Sequence, residues 1–295
     1  MTVRRIILAD NLEVLPTIEK ESVDLIYIDP PFNTRREQRH TRIQVTRDDV
    51  AGDREGFHGR RYRTSVLGTG SFDDRFDDFL GFLEPRLHEA HRVLSPQGSM
   101  FVHLDYREVH YCKVLLDRIF GRACFVNEII WAYDYGGRTR RRWPAKHDNI
   151  LWYVKDPSAY TFHYDAVERV PYLAPQLVTP EKAKRGKTLT DVWWQTVVPT
   201  RGHERTGYPT QKPLVILKRI VRVHSNPGEL VLDFFAGSGT LGEAAARLDR
   251  GFILIDSNPE AVRAMRQRLA FARPSVEEFG RRRSSLAEQR DVQPP

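Results

Sequence analysis

At 295 residues, with 40% hydrophobic and 29% charged residues, the chain has the composition of a globular protein, long enough for one large core plus an inserted lobe. Its net charge of +7 and pI near 9.5 favour a polyanionic partner. The sequence contains no apolar run near the roughly 20 residues of a membrane span, no secretory signal, and only two cysteines, Cys112 and Cys124, so we expect a reduced cytoplasmic chain with no membrane partner.

Short β-branched runs alternate with stretches of helical periodicity along most of the chain. Such alternation predicts an α/β fold, with a mostly parallel sheet covered by helices on both faces. The runs at 128–133 and 149–154 are predicted to form a strand pair. In chain order, the predicted strands cover 5–9, 23–29, 99–105, 128–133, 149–154, 230–235 and 252–256, and the predicted helices cover 11–18, 76–94, 107–120, 214–224, 239–248 and 259–270.

Three segments interrupt this alternation. Residues 35–72 carry nine arginines, five acids and few apolar side chains, which predicts a long mobile loop. Residues 155–205 contain five prolines and a basic KAKRGK stretch, and they are interpreted as an inserted lobe. The polar tail at 273–295 is predicted to be disordered. The predicted domain therefore consists of two halves, 1–154 and 206–272, separated by the lobe.

A glycine-rich turn follows the strand in the segment ELVLDFFAGSGTLGEAAARL. Gly237 and Gly239 allow the backbone to bend sharply and to approach a ligand closely. Asp233 at the strand end suits a cationic ligand, and Asp256 ends the next strand, where a carboxylate can bind two ribose hydroxyls. The spacing fits the G-x-G-x-x-G pattern of NAD-binding proteins poorly, and an ordinary strand-to-helix turn is the alternative.

The segment DLIYIDPPFNT ends a predicted buried strand with an acid, two prolines and a ring. Asp29 comes at the carboxyl end of the strand, where open α/β sheets bind ligands. Pro30 and Pro31 hold the neighbouring carbonyls rigid, and Phe32 offers a flat face. This combination predicts a receptor for a flat group that carries an NH2. A strand that is merely terminated by prolines is the alternative, but it does not explain the acid and the ring.

Together the two motifs resemble those of the amino-DNA methyltransferases, which use S-adenosylmethionine to methylate an exocyclic base nitrogen. DPPF matches their (D/N/S)PP(Y/F/W) catalytic motif, and FAGSG matches their FxGxG cofactor motif. Because DPPF precedes FxGxG, the order resembles that of the circularly permuted β group. The resemblance extends over most of residues 5–265, including YPTQKPLVILKRIV. It departs at the long Arg-rich loop and at Asp256, where many relatives carry glutamate.

The resemblance implies a Rossmann-like fold with a mostly parallel sheet, one antiparallel hairpin strand and a target-recognition lobe at 155–205. It implies a direct methyl transfer to a base that is flipped out of the duplex, with no metal. For Asp10, a helix cap remains an equal alternative to cofactor contact. The implied catalytic residues are Asp29, Pro30, Pro31 and Phe32, and the implied cofactor-binding residues are Asp10, Asp233, Phe235, Ala236, Gly237, Ser238, Gly239, Asp256, Asn258, Thr210 and Lys212.

Partners and target also follow from the resemblance together with the charge. Five basic residues and a tryptophan in GRTRRRWPAK favour nucleic-acid contact. The resemblance implies double-stranded DNA as substrate, with a homodimer and a cognate restriction endonuclease as further partners, at the nucleoid of a prokaryotic cytoplasm. His103, Asp105, His147 and Asp148 are interpreted as structural residues. The predicted DNA-binding residues are Arg138, Arg140, Arg141, Arg142 and Lys146.

Several functions stay open at this point. N6-adenine is favoured as the target, and N4-cytosine requires the same geometry. Transfer to RNA or to a protein glutamine, a non-catalytic DNA-binding subunit and a dehydrogenase are further alternatives. Methylation at cytosine C5 requires an activated cysteine, typically after a proline, but Cys112 follows a tyrosine and Cys124 follows an alanine.

Overall fold

Strands make up the framework of the computed structural model, which describes residues 2–34, 36–48, 50, 51, 53–55, 61–199, 202 and 204–279. The strands in these residues are β1 Arg4–Leu8, β2 Val23–Ile28, β3 Arg36–Arg47, β4 Arg54–Glu55, β5 Arg61–Asp74, β6 Leu94–Leu104, β7 Phe125–Ala132, β8 His147–Val154, β9 Arg169–Val170, β10 Lys187–Thr188, β11 Val192–Trp194, β12 Leu230–Asp233, β13 Gly251–Asp256 and β14 Ser275–Glu278. The helices are α1 Asn11–Val14, α2 Phe79–Val93, α3 Val109–Phe120, α4 Pro180–Arg185, α5 Leu214–His224, α6 Thr240–Arg247 and α7 Pro259–Arg268. None of the described helices is both long and apolar enough to cross a membrane.

Nine of these strands form one sheet, in the order β11-β7-β8-β6-β2-β12-β13-β1-β14. Neighbouring strands are parallel except at β8, which runs antiparallel to both β6 and β7. The predicted α/β fold with one antiparallel hairpin strand is therefore confirmed. β12 and β13, from the second half of the chain, lie between β2 and β1, so the two halves build one sheet.

The central strands contain continuous apolar runs because helices cover both faces of the sheet. In β2, Ile26 and Ile28 point into one core with α1, α2 and α3, whereas Leu25 and Tyr27 point into a second core with α5, α6 and α7. All four side chains are at most 2% exposed. The continuous run LIYI thus follows from two-sided burial, with side chains alternating between the two cores.

The predicted loop at 35–72 forms strands instead. β3 pairs antiparallel with β5 from Arg36↔Asp74 to Arg47↔Tyr62, and β4 pairs with β5. The composition argument was wrong here because a hairpin ladder is made by backbone hydrogen bonds and does not require an apolar face. Residues 35, 49, 52 and 56–60 lie outside the described residues.

The start of the polar tail also differs from prediction. β14 adds to the sheet edge parallel to β1, and Arg5 donates from Nε and Nη2 to the carboxylate of Glu277 at 3.0 and 2.7 Å. The remainder of the predicted tail, 280–295, lies outside the described residues.

The segment 155–205 is attached to the main sheet through β11, which pairs with β7. It also contacts α5, where the Arg219 guanidinium donates to Glu168 at 2.6 Å. The two adjacent tryptophans differ: Trp193 is 7% exposed and packs under Arg219, whereas Trp194 is 73% exposed.

Candidate active site

A cavity of about 410 Å³ opens at the carboxyl edge of the sheet, where β1, β2, β12 and β13 end. The parallel direction of these strands brings together acids that are more than 200 residues apart in sequence. Among the predicted catalytic and cofactor residues, Gly239 does not line the cavity. Those that line it are Asp10, Asp29, Pro30, Pro31, Phe32, Thr210, Lys212, Asp233, Phe235, Ala236, Gly237, Ser238, Asp256 and Asn258.

Asp29 directly follows β2, and its two carboxylate oxygens have different surroundings. Oδ2 accepts a hydrogen bond from the ammonium of Lys212, which also lies 5.0 Å from the centroid of the Phe32 ring. Oδ1 is buried and has no hydrogen-bond partner among the described residues. Lys212 therefore contacts the catalytic motif, although the resemblance implied a partner in the cofactor.

His103 forms a buried hydrogen-bond network behind Asp29. Its Nδ1 lies 2.7 Å from the Tyr27 hydroxyl and 3.9 Å from Asp29 Oδ1, and its Nε2 lies 3.2 Å from Asp148 Oδ2. Burial, together with the charge of Asp29, raises the pKa of Tyr27 well above its usual value, so this hydroxyl remains a donor. Tyr133 donates to Asp148 at 3.0 Å. These contacts fit the structural role predicted for His103 and Asp148.

Two acids lie on the β12 and β13 side of the cavity, Asp233 buried and Asp256 partly buried. Asp256 accepts from the backbone N–H groups of Gly237 and Asn258, both at 2.8 Å, and burial raises its pKa. Asp233 accepts from Phe235 N at 3.0 Å. Burial raises the pKa of Asp233 well above its usual value, and the charges of Asp29 and Asp256 add to that rise. This half of the cavity therefore favours a ligand with positive charge.

The two glycines of the turn serve different purposes. Gly237 has φ +49°, and a Cβ there would lie 3.4 Å from the Tyr208 ring, facing the cavity. Gly239 has φ +72°, and a Cβ there would lie only 2.7 Å from Cγ of Met265. Gly239 thus allows α6 to pack against α7, and its cofactor contact stays a prediction.

For Asp10 the helix cap is present, and the cofactor contact stays a prediction. Its carboxylate caps α1 by accepting from Leu12 N at 2.9 Å, and it lines the cavity. Arg86 lies 3.3 Å from it, lines the same cavity and is only 6% exposed. Sequence analysis missed Arg86. Its position beside Leu83 and Leu87, on the apolar face of a predicted helix, indicates a buried cation.

The predicted basic loop joins the end of β7 to the start of β8, at the same edge of the sheet as the cavity. Lys146 is partly buried and donates to the Gly136 carbonyl at 2.9 Å. Arg142 donates at 3.3 Å to the hydroxyl of Tyr106, which lies just beyond β6. The side chains of Arg138, Arg140, Arg141 and Arg142 are all exposed.

Neither cysteine lines the cavity. Cys112 is completely buried on α3, and burial raises its pKa to about 12. Burial also raises the pKa of Cys124. Because the nucleophile in cytosine C5 chemistry is a thiolate, these positions support the exclusion drawn from the sequence.

Sequence comparison links the chain to known enzymes. A family model described as DNA methylase matches residues 23–267. The chain is 30% identical over 266 residues to the type II methyltransferase M.HpaI of Haemophilus parainfluenzae, covering 90% of this chain and 74% of that protein. It is also 30% identical over 277 residues to the DNA adenine methyltransferase YhdJ of Escherichia coli strain K12, covering 91% and 83%.

Solved structures share the fold at lower sequence identity. The crystal structure of the M1.HpyAVI–SAM complex superposes with a TM-score of 0.58 at 23% identity, covering 90% of this chain and 99% of that chain. The cytosine-N4-specific PvuII DNA methyltransferase superposes with a TM-score of 0.62 at 16% identity, covering 91% and 87%.

Proposed function

Because this chain belongs to the DNA methylase family and is an S-adenosylmethionine-dependent DNA amino-methyltransferase, we propose that it methylates the N6 amino group of an adenine within a specific duplex sequence. The observation that carries the proposal is the buried Oδ1 of Asp29, which has no hydrogen-bond partner among the described residues. An unsatisfied buried carboxylate oxygen is costly unless a ligand supplies a donor. The amino group of a flipped base is such a donor.

The catalytic motif would bind the base from two directions. Asp29 Oδ1 and the Pro30 carbonyl would accept the two N–H bonds of the amino group, which directs the nitrogen lone pair away from both oxygens. Pro31 would fix the backbone, and Phe32 would stack on the base. His103, whose ring centroid lies 5.8 Å from that of Phe32, packs against the ring. Orientation of the lone pair is the main contribution of these residues to the rate.

The other half of the cavity fits the cofactor. S-adenosylmethionine supplies an electrophilic methyl group on a positively charged sulfur. Asp233 would face its cationic centres, Asp256 its ribose, and Asp10 its adenine end. Gly237 leaves room for close approach of a ligand to the backbone. The remaining contacts would come from Phe235, Ala236, Ser238, Gly239, Asn258, Thr210 and Lys212.

DNA contact would come from the basic loop and the segment 155–205. The exposed arginines would bind phosphates, and the segment 155–205 would read the recognition sequence. The order of the motifs supports membership of the β group. A homodimer, a partner restriction endonuclease and a location at the nucleoid of a prokaryotic cytoplasm remain parts of the proposal.

Adenine is proposed over cytosine because YhdJ, a relative named as an adenine methyltransferase, is 30% identical, whereas the cytosine-N4-specific PvuII enzyme is 16% identical. The test is methylome sequencing of DNA from a methylation-free host that expresses this chain, with Asp29→Ala as the control. We expect N6-methyladenine at one sequence motif, absent with the variant. N4-methylcytosine would change the target base, and no modified base in wild-type DNA would contradict the proposal.

A further inference from the structure

Trp143 is 95% exposed, although tryptophan is the largest apolar side chain available to the protein. It lies in the basic loop between β7 and β8, directly after Arg142 and directly before a proline. That proline restricts the backbone of Trp143 to extended conformations, which reduces the freedom of the loop at this residue. The indole thus packs in neither core, and its surface is available for contact with another molecule.

The loop that carries Trp143 is connected by hydrogen bonds to residues at the same edge of the sheet as the catalytic motif. Arg142 is held by the Tyr106 hydroxyl at 3.3 Å. Five residues after Trp143, Asp148 contacts His103 at 3.2 Å, and His103 lies 3.9 Å from Asp29 Oδ1. The exposed indole therefore stands on the same edge of the sheet as the carboxylate that would receive the flipped base.

The charge around Trp143 matches a DNA duplex. Arg138, Arg140, Arg141 and Arg142 precede it within six residues, and the loop after it contains Lys146. These cations would bring phosphates within reach of the indole. Trp194, the other exposed tryptophan, ends β11 at the same edge, but its sequence neighbours are Trp193 and Gln195, which carry no charge.

We propose that Trp143 enters the base stack of the DNA and fills the gap left by the flipped target base. This inference rests on the proposed function. Removing a base from the duplex sacrifices its stacking and pairing, and a flat indole restores stacking for the bases on either side of the gap. Aromatic side chains stack on any base, so Trp143 stabilises the flipped state without selecting the sequence.

The test compares two duplexes that carry the recognition sequence found by methylome sequencing. One is fully paired, and the other has an abasic site opposite the target base, so that the target pair is already broken. Single-turnover methyl transfer is measured for wild type and Trp143→Ala. On the paired duplex we expect Trp143→Ala to be slower by roughly 5- to 150-fold, the range for losing one base–aromatic stack. On the abasic duplex we expect its rate to return to within roughly threefold of wild type.

Further variants separate stacking from charge and from chemistry. Trp143→Phe keeps a flat ring and should retain most of the activity on the paired duplex. Arg141→Ala should weaken binding to both duplexes alike, and Asp29→Ala should be inactive on both. Trp194→Ala is the comparison for an exposed tryptophan without neighbouring charge, and we expect no selective rescue.

Three results would overturn the inference: equal rates for wild type and Trp143→Ala on the paired duplex, an equal loss on both duplexes, or selective rescue of Trp194→Ala alone. Wild type that methylates neither duplex would instead count against the proposed function.

Discussion

Gly237 and Gly239 show how two residues of one motif can be required for different physical reasons. Both have positive φ angles, which strain any residue with a side chain. At Gly237 the space beside the backbone opens to the cavity, whereas at Gly239 it is filled by Met265. The FxGxG pattern predicts glycine at both positions but does not distinguish the two roles, because the contact with α7 depends on the packing of helices far apart in sequence.

Alanine substitutions would separate these roles. We expect Gly239→Ala to lower the free energy of unfolding by roughly 2–4 kcal/mol, because backbone strain adds to overlap with Met265. Gly237→Ala adds only the strain, roughly 1–2 kcal/mol, but its methyl group would enter the cofactor half of the cavity. Urea titrations and calorimetric binding of S-adenosylmethionine measure both effects. If the two variants lose the same stability and bind S-adenosylmethionine with the same affinity, the two glycines do not have separate roles.

At the scale of elements, the sequence predicted the strands and helices that have a strong apolar pattern. It missed the strands that are held only by backbone pairing. β2 and β13 are buried on both faces, and their apolar runs end at the expected acids. β14 has no apolar stripe, since Ser275–Glu278 reads SVEE, and it exists because the edge of β1 accepts another strand. The polar strands β3 and β5 likewise form because they pair with each other. Pairing of this kind depends on a neighbouring strand, which local composition does not reveal.

The contribution of β14 can be measured by two truncations. A chain ending at residue 273 lacks β14, and a chain ending at residue 279 keeps it, so their difference isolates the strand. We expect the shorter chain to unfold at lower urea concentration and to aggregate more readily, because β1 would become an exposed edge. Glu277→Ala keeps the strand, removes the half-exposed ion pair with Arg5 and an exposed hydrogen bond from Ser275 Oγ, and should cost at most about 1 kcal/mol. If the two truncated chains unfold at the same urea concentration, β14 does not stabilise the sheet.

At the scale of the whole molecule, the site is formed where the two halves of the chain meet. Asp10 and Asp29 come from the first half, and Asp233 and Asp256 from the second. The sequence identified all four, because each lies at or near the carboxyl end of a predicted strand. It did not predict the strand order, which places β12 next to β2, nor the contact between Lys212 and Asp29, which spans 183 residues. Such contacts depend on the packing of the assembled sheet.

This concentration of acids makes the site unfavourable for the stability of the fold. Burial raises the pKa of Asp233 well above its value in the unfolded chain. Between the unfolded and folded pKa values the native state therefore binds more protons, so the free energy of unfolding decreases as the pH rises through that range. Ionisation of Asp233 therefore destabilises the fold, and we propose that the bound cofactor offsets this cost.

Asp233→Asn tests this trade-off because it keeps the acceptor for Phe235 N–H and removes the charge. Without cofactor at pH 8, we expect the variant to be more stable than wild type, because burial raises the pKa of Asp233 and its ionisation then costs stability. The difference should shrink as the pH falls towards the unfolded pKa. S-adenosylmethionine should raise the melting temperature of wild type but not of the variant. Asp165→Asn, which removes an exposed acid, is the control and should show neither effect. A less stable Asp233→Asn protein at pH 8 would mean that the carboxylate stabilises the fold, and that the acids of this sheet edge belong to its architecture as well as to its ligand.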